Sequence, residues 1–239
     1  MRDALLSAED NRAMFNRIAR RYDLMNTILS LGHHAQWRRR AVRKMKPCAG
    51  GRYLDVGCGT GDVAIEILQQ CPDCQVVGID PAEGMLDIGR RKLAAASLSD
   101  RARLQTGDAV RLPLESNTFD AAIAAFCLRN VTDRVAALAE MGRVVRPGGL
   151  VLILELTRPR KRLLRLGHRV YTRAFAPLLG AVIARDRGAY RYLVDSVMDF
   201  PAPAAVLEMM TRANLACPRE SPMTGGAVTV FIAEATTPC

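Results

Sequence analysis

The amino-acid sequence predicts an α/β fold built on a doubly wound parallel sheet. Two observations carry this prediction. From Arg52 to Leu156, short apolar segments alternate with amphipathic segments of helical period, which is the pattern of consecutive βαβ units. A glycine-rich turn directly follows the first apolar segment, and in such sheets ligands bind at the carboxyl ends of the strands. The chain has 239 residues, enough for one such domain with additional helices.

The first fifty residues are predicted to form helices. Met14, Ile18 and Tyr22 recur at helical spacing, and a basic helix is predicted over residues 36–46. Proline and a glycine pair end that helix. We therefore expect a helical N-terminal extension, residues 1–50, that covers the active site.

The α/β core is predicted to span residues 51–157. Apolar runs predict strands over residues 53–56, 75–79, 103–106, 119–125 and 150–156. Helical periodicity predicts helices over residues 62–70, 82–95 and 134–145. The C-terminal part, residues 201–239, is predicted to complete the sheet with a helix at 203–213 and a strand at 227–233.

Residues 158–200 interrupt the alternation and are predicted to form a basic helical insertion. Between Glu155 and Asp186 there are eight basic residues and no acidic one, and leucines interleave with the basic residues. A basic amphipathic helix of this kind docks reversibly on anionic membranes. A solvated helix is the competing interpretation, and His168 within the segment is then a solvated residue.

Composition limits the partners and the compartment. The net charge of +10 favours a polyanionic partner, either nucleic acid or an anionic membrane, while 5% aromatic content argues against stacking on single-stranded nucleic acid. No apolar run is long enough to cross a bilayer. Seven cysteines without a signal-peptide pattern predict a reducing, cytoplasmic compartment. The Cys71–Cys74 pair lacks a second pair, so we expect no metal site.

Three loops at consecutive strand ends predict a cofactor site. The first is the turn 55–62, DVGCGTGD, whose glycines let the backbone turn tightly and approach a ligand. Asp80 ends the second strand and could accept hydrogen bonds from a ribose diol, and Asp108 follows the third strand.

Asp62 stands where a dinucleotide fingerprint has its last glycine, which argues against NAD. A cationic ligand such as S-adenosylmethionine (SAM) tolerates these carboxylates better. A purely structural turn is the alternative. The predicted cofactor-binding residues of the turn are Asp55, Gly57, Gly59, Thr60 and Gly61.

Four segments carry a resemblance to known proteins: MFNRIARRYDLMN at 14–26, FCLRNVTD at 126–133, RVVRPGG at 143–149 and YRYLVDSV at 190–197. Together they resemble one family, the ubiquinone/menaquinone biosynthesis C-methyltransferases. The third is common to many SAM methyltransferases. Family members usually have glycine where this chain has Cys127.

The resemblance implies a seven-stranded, Rossmann-like SAM methyltransferase fold with a helical insertion after the fifth strand. It also implies SAM contacts at Thr60, Asp80, Asp108 and Ala109, with a further contact at the position of Ala125. The implied substrate is a prenylated quinol at the inner face of the membrane, with which the cytoplasmic protein associates peripherally.

Carbon methylation of a quinol requires a phenolate next to the reacting carbon. From the resemblance we expect Arg129 to stabilise that phenolate and Asn130 to orient the same oxygen. An arginine almost never acts as a base, so water or His34 would carry the proton, and Tyr22 would pack on or hydrogen-bond the ring. The structural alternatives are an Arg129–Asp133 pair, a core Tyr22 and a helix-capping or surface His34.

Several functional alternatives stay open at this point. The loop after the third strand, residues 107–109, resembles family members restricted to menaquinone, which favours demethylmenaquinol as substrate. A prenylated methoxy-benzoquinol of the ubiquinone pathway is the first alternative. A nucleic-acid methyltransferase, a nicotinamide oxidoreductase and a non-catalytic membrane-binding module are the others. We expect no nucleic-acid partner, and a homodimer remains open.

Overall fold

A computed structural model describes residues 6–159 and 187–236 of the chain. Residues 160–186 of the predicted basic insertion, including His168, lie outside the described residues. Helices and strands are numbered here in chain order among the described residues. The helices are α1 Ala8–Leu29, α2 His33–Met45, α3 Asp62–Gln70, α4 Glu83–Ala95, α5 Arg134–Val144, α6 Arg187–Asp199 and α7 Pro203–Arg212. The strands are β1 Arg52–Val56, β2 Gln75–Asp80, β3 Ala102–Thr106, β4 Phe119–Ala125, β5 Val145–Leu156, β6 Leu215–Met223 and β7 Val228–Ala235.

The strands form one sheet of seven in the order β3-β2-β1-β4-β5-β7-β6. β1 to β5 run parallel, whereas β7 pairs antiparallel with both β5 and β6. The parallel arrangement predicted for residues 52–156 is therefore present, and within the described chain β7 is the strand that runs opposite to the others. A short connection through residues 224–227 joins β6 to β7, and a connection of that length permits only antiparallel pairing.

The edge strand β6 has no strand pattern in the sequence. It contains Pro218 and Pro222, and its pairing register shifts between Ala216 and Arg219. Proline cannot donate to the ladder and is tolerated on edge strands and at bulges. β5 also differs from the prediction, because it begins at Val145, which pairs with Phe119.

The core has two layers, one on each face of the sheet. One layer packs α2, α3 and α4 on the sheet through residues such as Trp37 and Ile67. The other packs α5 and α7 through residues such as Leu138 and Met210. Strand order reverses between β1 and β4, and this reversal creates the crevice at the strand ends where such folds bind ligands.

The N-terminal helix α1 lies over that crevice. Its buried residues Met14 and Ile18 pack on Ala189 and Tyr192 of α6, and the Asn11 amide donates to the Tyr192 hydroxyl at 2.8 Å. The crevice is thus covered by the N-terminal extension and α6. No helix within the described residues is long and apolar enough to cross a bilayer.

Candidate active site

Two cavities adjoin at the carboxyl ends of β1 and β4. The smaller, of about 130 Å³, lies between the strand ends and α1. The larger, of about 330 Å³, lies between the end of α1, α2 and α6. Phe126 lines both. Its backbone φ is +55°, a left-handed conformation that costs a bulky residue about 1–2 kcal/mol. Phe126, which lines both cavities, is therefore held with a strained backbone.

The glycine-rich turn forms one wall of the smaller cavity. Gly57 has φ +67°, and the amides of Gly57 and Cys58 both donate to the Ile79 carbonyl, at 2.7 and 3.0 Å. A Cβ on Gly57 would collide with the Cys127 Sγ atom. Glycine is therefore required here for its backbone conformation and for the close approach of the loop after β4.

Asp80 is fixed at the floor of the smaller cavity. Its Oδ2 accepts from the Gly59 amide and its Oδ1 from the Ala82 amide, both at 2.9 Å. Burial raises the pKa of this carboxyl to about 6, although the two amides oppose the shift. Each carboxylate oxygen keeps a further acceptor site, so Asp80 can accept hydrogen bonds from a ligand while its position is held.

Asp55 is a buried carboxylate behind the turn. It is 1% exposed, and neither oxygen has a hydrogen-bond partner within the described part of the chain. Burial, and then the nearby charge of Asp80, raise its pKa to about 8. A buried carboxylate without a partner is costly. A cationic ligand bound near the turn would offset that cost.

The loop after β3 closes another side of the smaller cavity. Asp108 and Ala109 both line it. The Asp108 Oδ1 accepts from the Val110 amide at 3.1 Å, which holds the loop in a tight turn. The exposed Asp108 carboxylate keeps acceptor capacity for a polar ligand group.

Besides Asp55, three of the predicted cofactor residues stand outside the lining of this cavity. The Thr60 hydroxyl donates to Asp23 Oδ1 of α1 at 2.6 Å. Gly61, with φ +77°, precedes α3 as its N-cap. Ala125 is half-buried and packs on the core layer that contains Trp37. Cofactor contacts at these three positions stay predictions.

The larger cavity is mainly apolar. Its lining includes Leu29 and Leu31 from the end of α1, Trp37 from α2, Leu156 from β5, and Val194 and Val197 from α6. The Trp37 indole donates to the Thr224 hydroxyl at 2.9 Å. A pocket of this size and character suits a flat apolar ring with few polar groups.

Arg129 brings a buried positive charge to this apolar cavity. It is 4% exposed, and one guanidinium nitrogen bonds both Glu155 Oε1 and the Phe126 carbonyl at 2.7 Å. The Arg129 amide donates to Glu155 Oε2 at 3.2 Å. Its Nε has no partner among the described residues. The structural alternative, a pair with Asp133, is wrong, because Asp133 instead caps α5 through the Ala136 amide at 2.9 Å.

Glu155 is a residue that sequence reasoning missed. It is fully buried at the end of β5 and bonds both the side chain and the backbone of Arg129. An acidic residue within the otherwise apolar run 150–156 was the available signal, since an acidic residue is almost never buried without a partner.

The other predicted catalytic residues divide between the cavities. His34 lines the larger one, together with Arg129. Its Nδ1 pairs with the Ser30 hydroxyl at 2.7 Å, and burial, followed by the charge of Arg38, lowers its pKa. The imidazole is therefore neutral at pH 7 and able to accept a proton.

Tyr22 and Asn130 line the smaller cavity instead. The Tyr22 ring meets Phe15 edge-on at 6.0 Å between centroids. Burial raises the pKa of the Tyr22 hydroxyl, and the nearby charge of Arg129 partly opposes that rise. Among the described residues, Tyr22 and Asn130 thus face the cofactor side, and their predicted contacts with a quinol remain untested.

Nearly the whole chain is similar to proteins of known family. Residues 5–234 match the sequence profile of the ubiE/COQ5 methyltransferase family. The ubiquinone/menaquinone biosynthesis C-methyltransferase UbiE of Syntrophotalea carbinolica is 44% identical over 93% of this chain and 93% of its own length. The demethylmenaquinone methyltransferase of Thermus thermophilus is 42% identical over 92% of this chain and 99% of its own length.

Solved structures share the fold at much lower identity. A SAM-dependent methyltransferase from Aquifex aeolicus superposes with a TM-score of 0.59 at 16% identity, covering 83% of this chain and 89% of that one. Phosphoethanolamine N-methyltransferase 2 of Haemonchus contortus, solved with SAM, gives 0.62 at 15% identity, covering 84% and 52%. The predicted fold class, the Rossmann-like fold of the SAM-dependent methyltransferases, is confirmed.

Proposed function

The chain belongs to the ubiE/COQ5 methyltransferase family, and from this membership we propose that it transfers a methyl group from SAM to a ring carbon of a prenylated quinol. The observation that carries the proposal is the pair of adjoining cavities. One has a carboxylate floor, the other is apolar with a buried arginine, and Phe126 lines both.

The residues of the smaller cavity fit SAM. SAM carries a sulfonium and an ammonium group, and two buried carboxylates with raised pKa values lie at or behind the cavity wall. Asp80 would hold the ribose hydroxyls, and Asp108 with Ala109 would border the adenine. Gly57 and Gly59 line the cavity, and glycine lets the backbone approach a ligand closely. When bound, SAM supplies an electrophilic methyl group.

In the larger cavity Arg129 would stabilise the quinol as its phenolate. Its charge is permanent and lies in an apolar, desolvated setting, where electrostatic stabilisation is strongest. Glu155 fixes the guanidinium through one Nη nitrogen, and because a guanidinium has five donors, donors remain for a substrate oxygen. Arg129 would thus increase the electron density of the ring without exchanging a proton.

The proton released by the quinol hydroxyl needs an acceptor. His34 lines the same cavity as Arg129, and its lowered pKa keeps it neutral. Ser30 fixes the orientation of its ring. We assign His34, directly or through a water, as that acceptor.

The proposed substrate is demethylmenaquinol. Relatives named demethylmenaquinone methyltransferase, such as that of Thermus thermophilus, match the chain at 42% identity, and the Gly107-Asp108-Ala109 loop supports the same choice. Because a prenyl tail keeps this substrate in the bilayer, we propose that the protein works in the cytoplasm, associated peripherally with the inner face of the membrane.

A methyl-transfer assay on native lipids tests this function. Purified protein is incubated with methyl-labelled SAM and the reduced lipid extract of a strain that lacks the methylation step, and the product is identified by mass spectrometry. We expect one labelled methyl on the quinol ring. Label absent from the quinol, although the folded protein binds SAM, would contradict the proposal.

A variant pair makes the assay specific. Arg129→Ala should bind SAM and transfer slowly. Arg146→Ala removes an exposed arginine that pairs with Asp120 far from the cavities and should react like the parent.

A further inference from the structure

An exposed apolar ridge ends helix α1. Leu24 and Leu31 are 54% and 74% exposed, and they are the large hydrophobic residues with high exposure among the described residues. Leu24, Ile28 and Leu31 follow one another at intervals of three to four residues. Leu24 and Ile28 therefore share one face at the end of α1, and Leu31 lies in the turn that directly follows the helix. We call these three residues the α1 ridge.

Leu31 occupies a position that neither packing nor backbone geometry favours. Its φ is +50°, in the left-handed region, where asparagine or glycine is accepted at lower cost than a bulky apolar residue. Its side chain is mostly in solvent. A strained and exposed leucine gives the isolated chain no stability, which points to a contact outside the chain.

The α1 ridge adjoins the mouth of the larger cavity. Leu31 lines that cavity while remaining 74% exposed, and Leu29 from the same turn lines it too. An apolar ligand that leaves the cavity at this point would pass directly over the ridge. The ridge and the cavity thus meet at Leu31.

Basic residues precede the ridge on the same helix face. Arg20 and Arg21 are exposed one turn before Leu24, and the chain carries a net charge of +10. We propose that the α1 ridge docks on an anionic lipid bilayer and presents the larger cavity to the membrane, so that a prenyl tail stays in lipid. This inference rests on the proposed function, because it assigns the ridge to the delivery of that substrate.

A bilayer fits the ridge better than a second protein. A stable protein interface buries roughly 800 Å² on each partner, and two leucines with one isoleucine fall well short of that area. Reversible membrane binding needs only a few inserted apolar side chains together with basic residues near the anionic surface. The small apolar area and the adjoining arginines satisfy that requirement.

Vesicle sedimentation with single variants of the full chain tests the docking. The vesicles contain phosphatidylcholine with phosphatidylglycerol. Leu31→Asn removes the apolar side chain and suits the left-handed backbone, so we expect about tenfold weaker binding with an equal or higher unfolding temperature. Leu24→Ser should weaken binding similarly, whereas Leu24→Met keeps the apolar area and should bind like the parent.

The outcomes separate the docking from the reaction. Unchanged binding of Leu31→Asn and Leu24→Ser overturns the ridge assignment. So does sedimentation velocity showing a parent dimer that Leu24→Ser converts to monomer, because the ridge would then meet a second copy. With a water-soluble quinol that has no prenyl tail, Leu24→Ser should turn over like the parent. If no form methylates demethylmenaquinol in the vesicles while the vesicle results hold, the proposed function fails and the docking stands.

Discussion

Replacing Asp55 with asparagine should stabilise the protein by an amount that grows with pH. The raised pKa of Asp55, about 8 in the folded protein against an ordinary value of 3.8, means that folding favours the protonated acid. The contribution of the Asp55 carboxyl to stability is greatest below pH 4 and is lost as pH rises toward 8. The reason is that this carboxyl ionises at a lower pH in the unfolded chain than in the folded protein. The asparagine side chain has nearly the same shape as the acid and never ionises.

The size of the effect follows from linkage. One proton taken up on folding changes stability by about 1.4 kcal/mol per pH unit. Between an unfolded pKa near 4 and pH 7 this amounts to roughly 4 kcal/mol. The charge of Asp80 contributes to the raised pKa of Asp55, so the measured difference includes the coupling of these two carboxyls.

Urea unfolding at pH 5, 6, 7 and 8 measures that difference. The free energy of unfolding of Asp55→Asn minus that of the parent should rise across the series. The matched control is Asp120→Asn, which changes a half-exposed acid that is paired with Arg146 and should give a flat difference. A flat difference for Asp55→Asn as well would show that Asp55 ionises normally, and the electrostatic account of the cavity wall would fail. Calorimetry should show weaker SAM binding by the variant, because asparagine, unlike Asp55, cannot ionise when a cationic ligand binds nearby.

Three further changes test the remaining parts of the site. Glu155→Gln leaves the buried Arg129 without its counter-ion and should cost about 3–5 kcal/mol of stability. In the fraction that folds, kcat should fall more than the affinity for SAM. An unchanged kcat would show that Glu155 does not position Arg129 for the reaction. Gly57→Ala should weaken SAM binding at least tenfold. Adding Cys127→Gly should restore part of the affinity, because the new Cβ no longer collides with the Cys127 Sγ. A calorimetric titration that finds no restoration would contradict this collision. Lys92→Met removes the ammonium that contacts both Asp23 of α1 and Thr60 of the glycine-rich turn, so it should raise amide hydrogen exchange in α1. Exchange equal to the parent's would show that Lys92 is not needed to hold the helix.

The parallel half of the sheet could be predicted because its strands are buried on both faces. Such strands read as short continuous apolar runs, and the runs ending at Val56 and Ala125 match the ends of β1 and β4. β6 gave no such signal, because an edge strand can hold Pro218 and Pro222. Its antiparallel partner β7 was recognised as a strand, but strand direction is set by the length of the connection and not by composition.

The cofactor residues at the strand ends could be predicted because their positions follow from the order of the strands along the chain. Gly57, Asp80 and Asp108 follow three consecutive parallel strands, and parallel strand ends meet at one edge of a sheet. The partner of Arg129 was not predictable, since Glu155 comes from a different strand 26 residues away. The turn at residues 128–130 is a single 3₁₀ turn, and neighbouring side chains on such a turn point in different directions.

The transferred methyl itself provides the most direct test of the proposed reaction. The protein is incubated with SAM that carries a ¹³C methyl group and with demethylmenaquinol in anionic vesicles, and the extracted product is analysed by NMR. We expect a labelled methyl carbon bonded to a ring carbon of the quinol. A methyl on the quinol oxygen, or a product without label from protein that binds SAM in calorimetry, would contradict it.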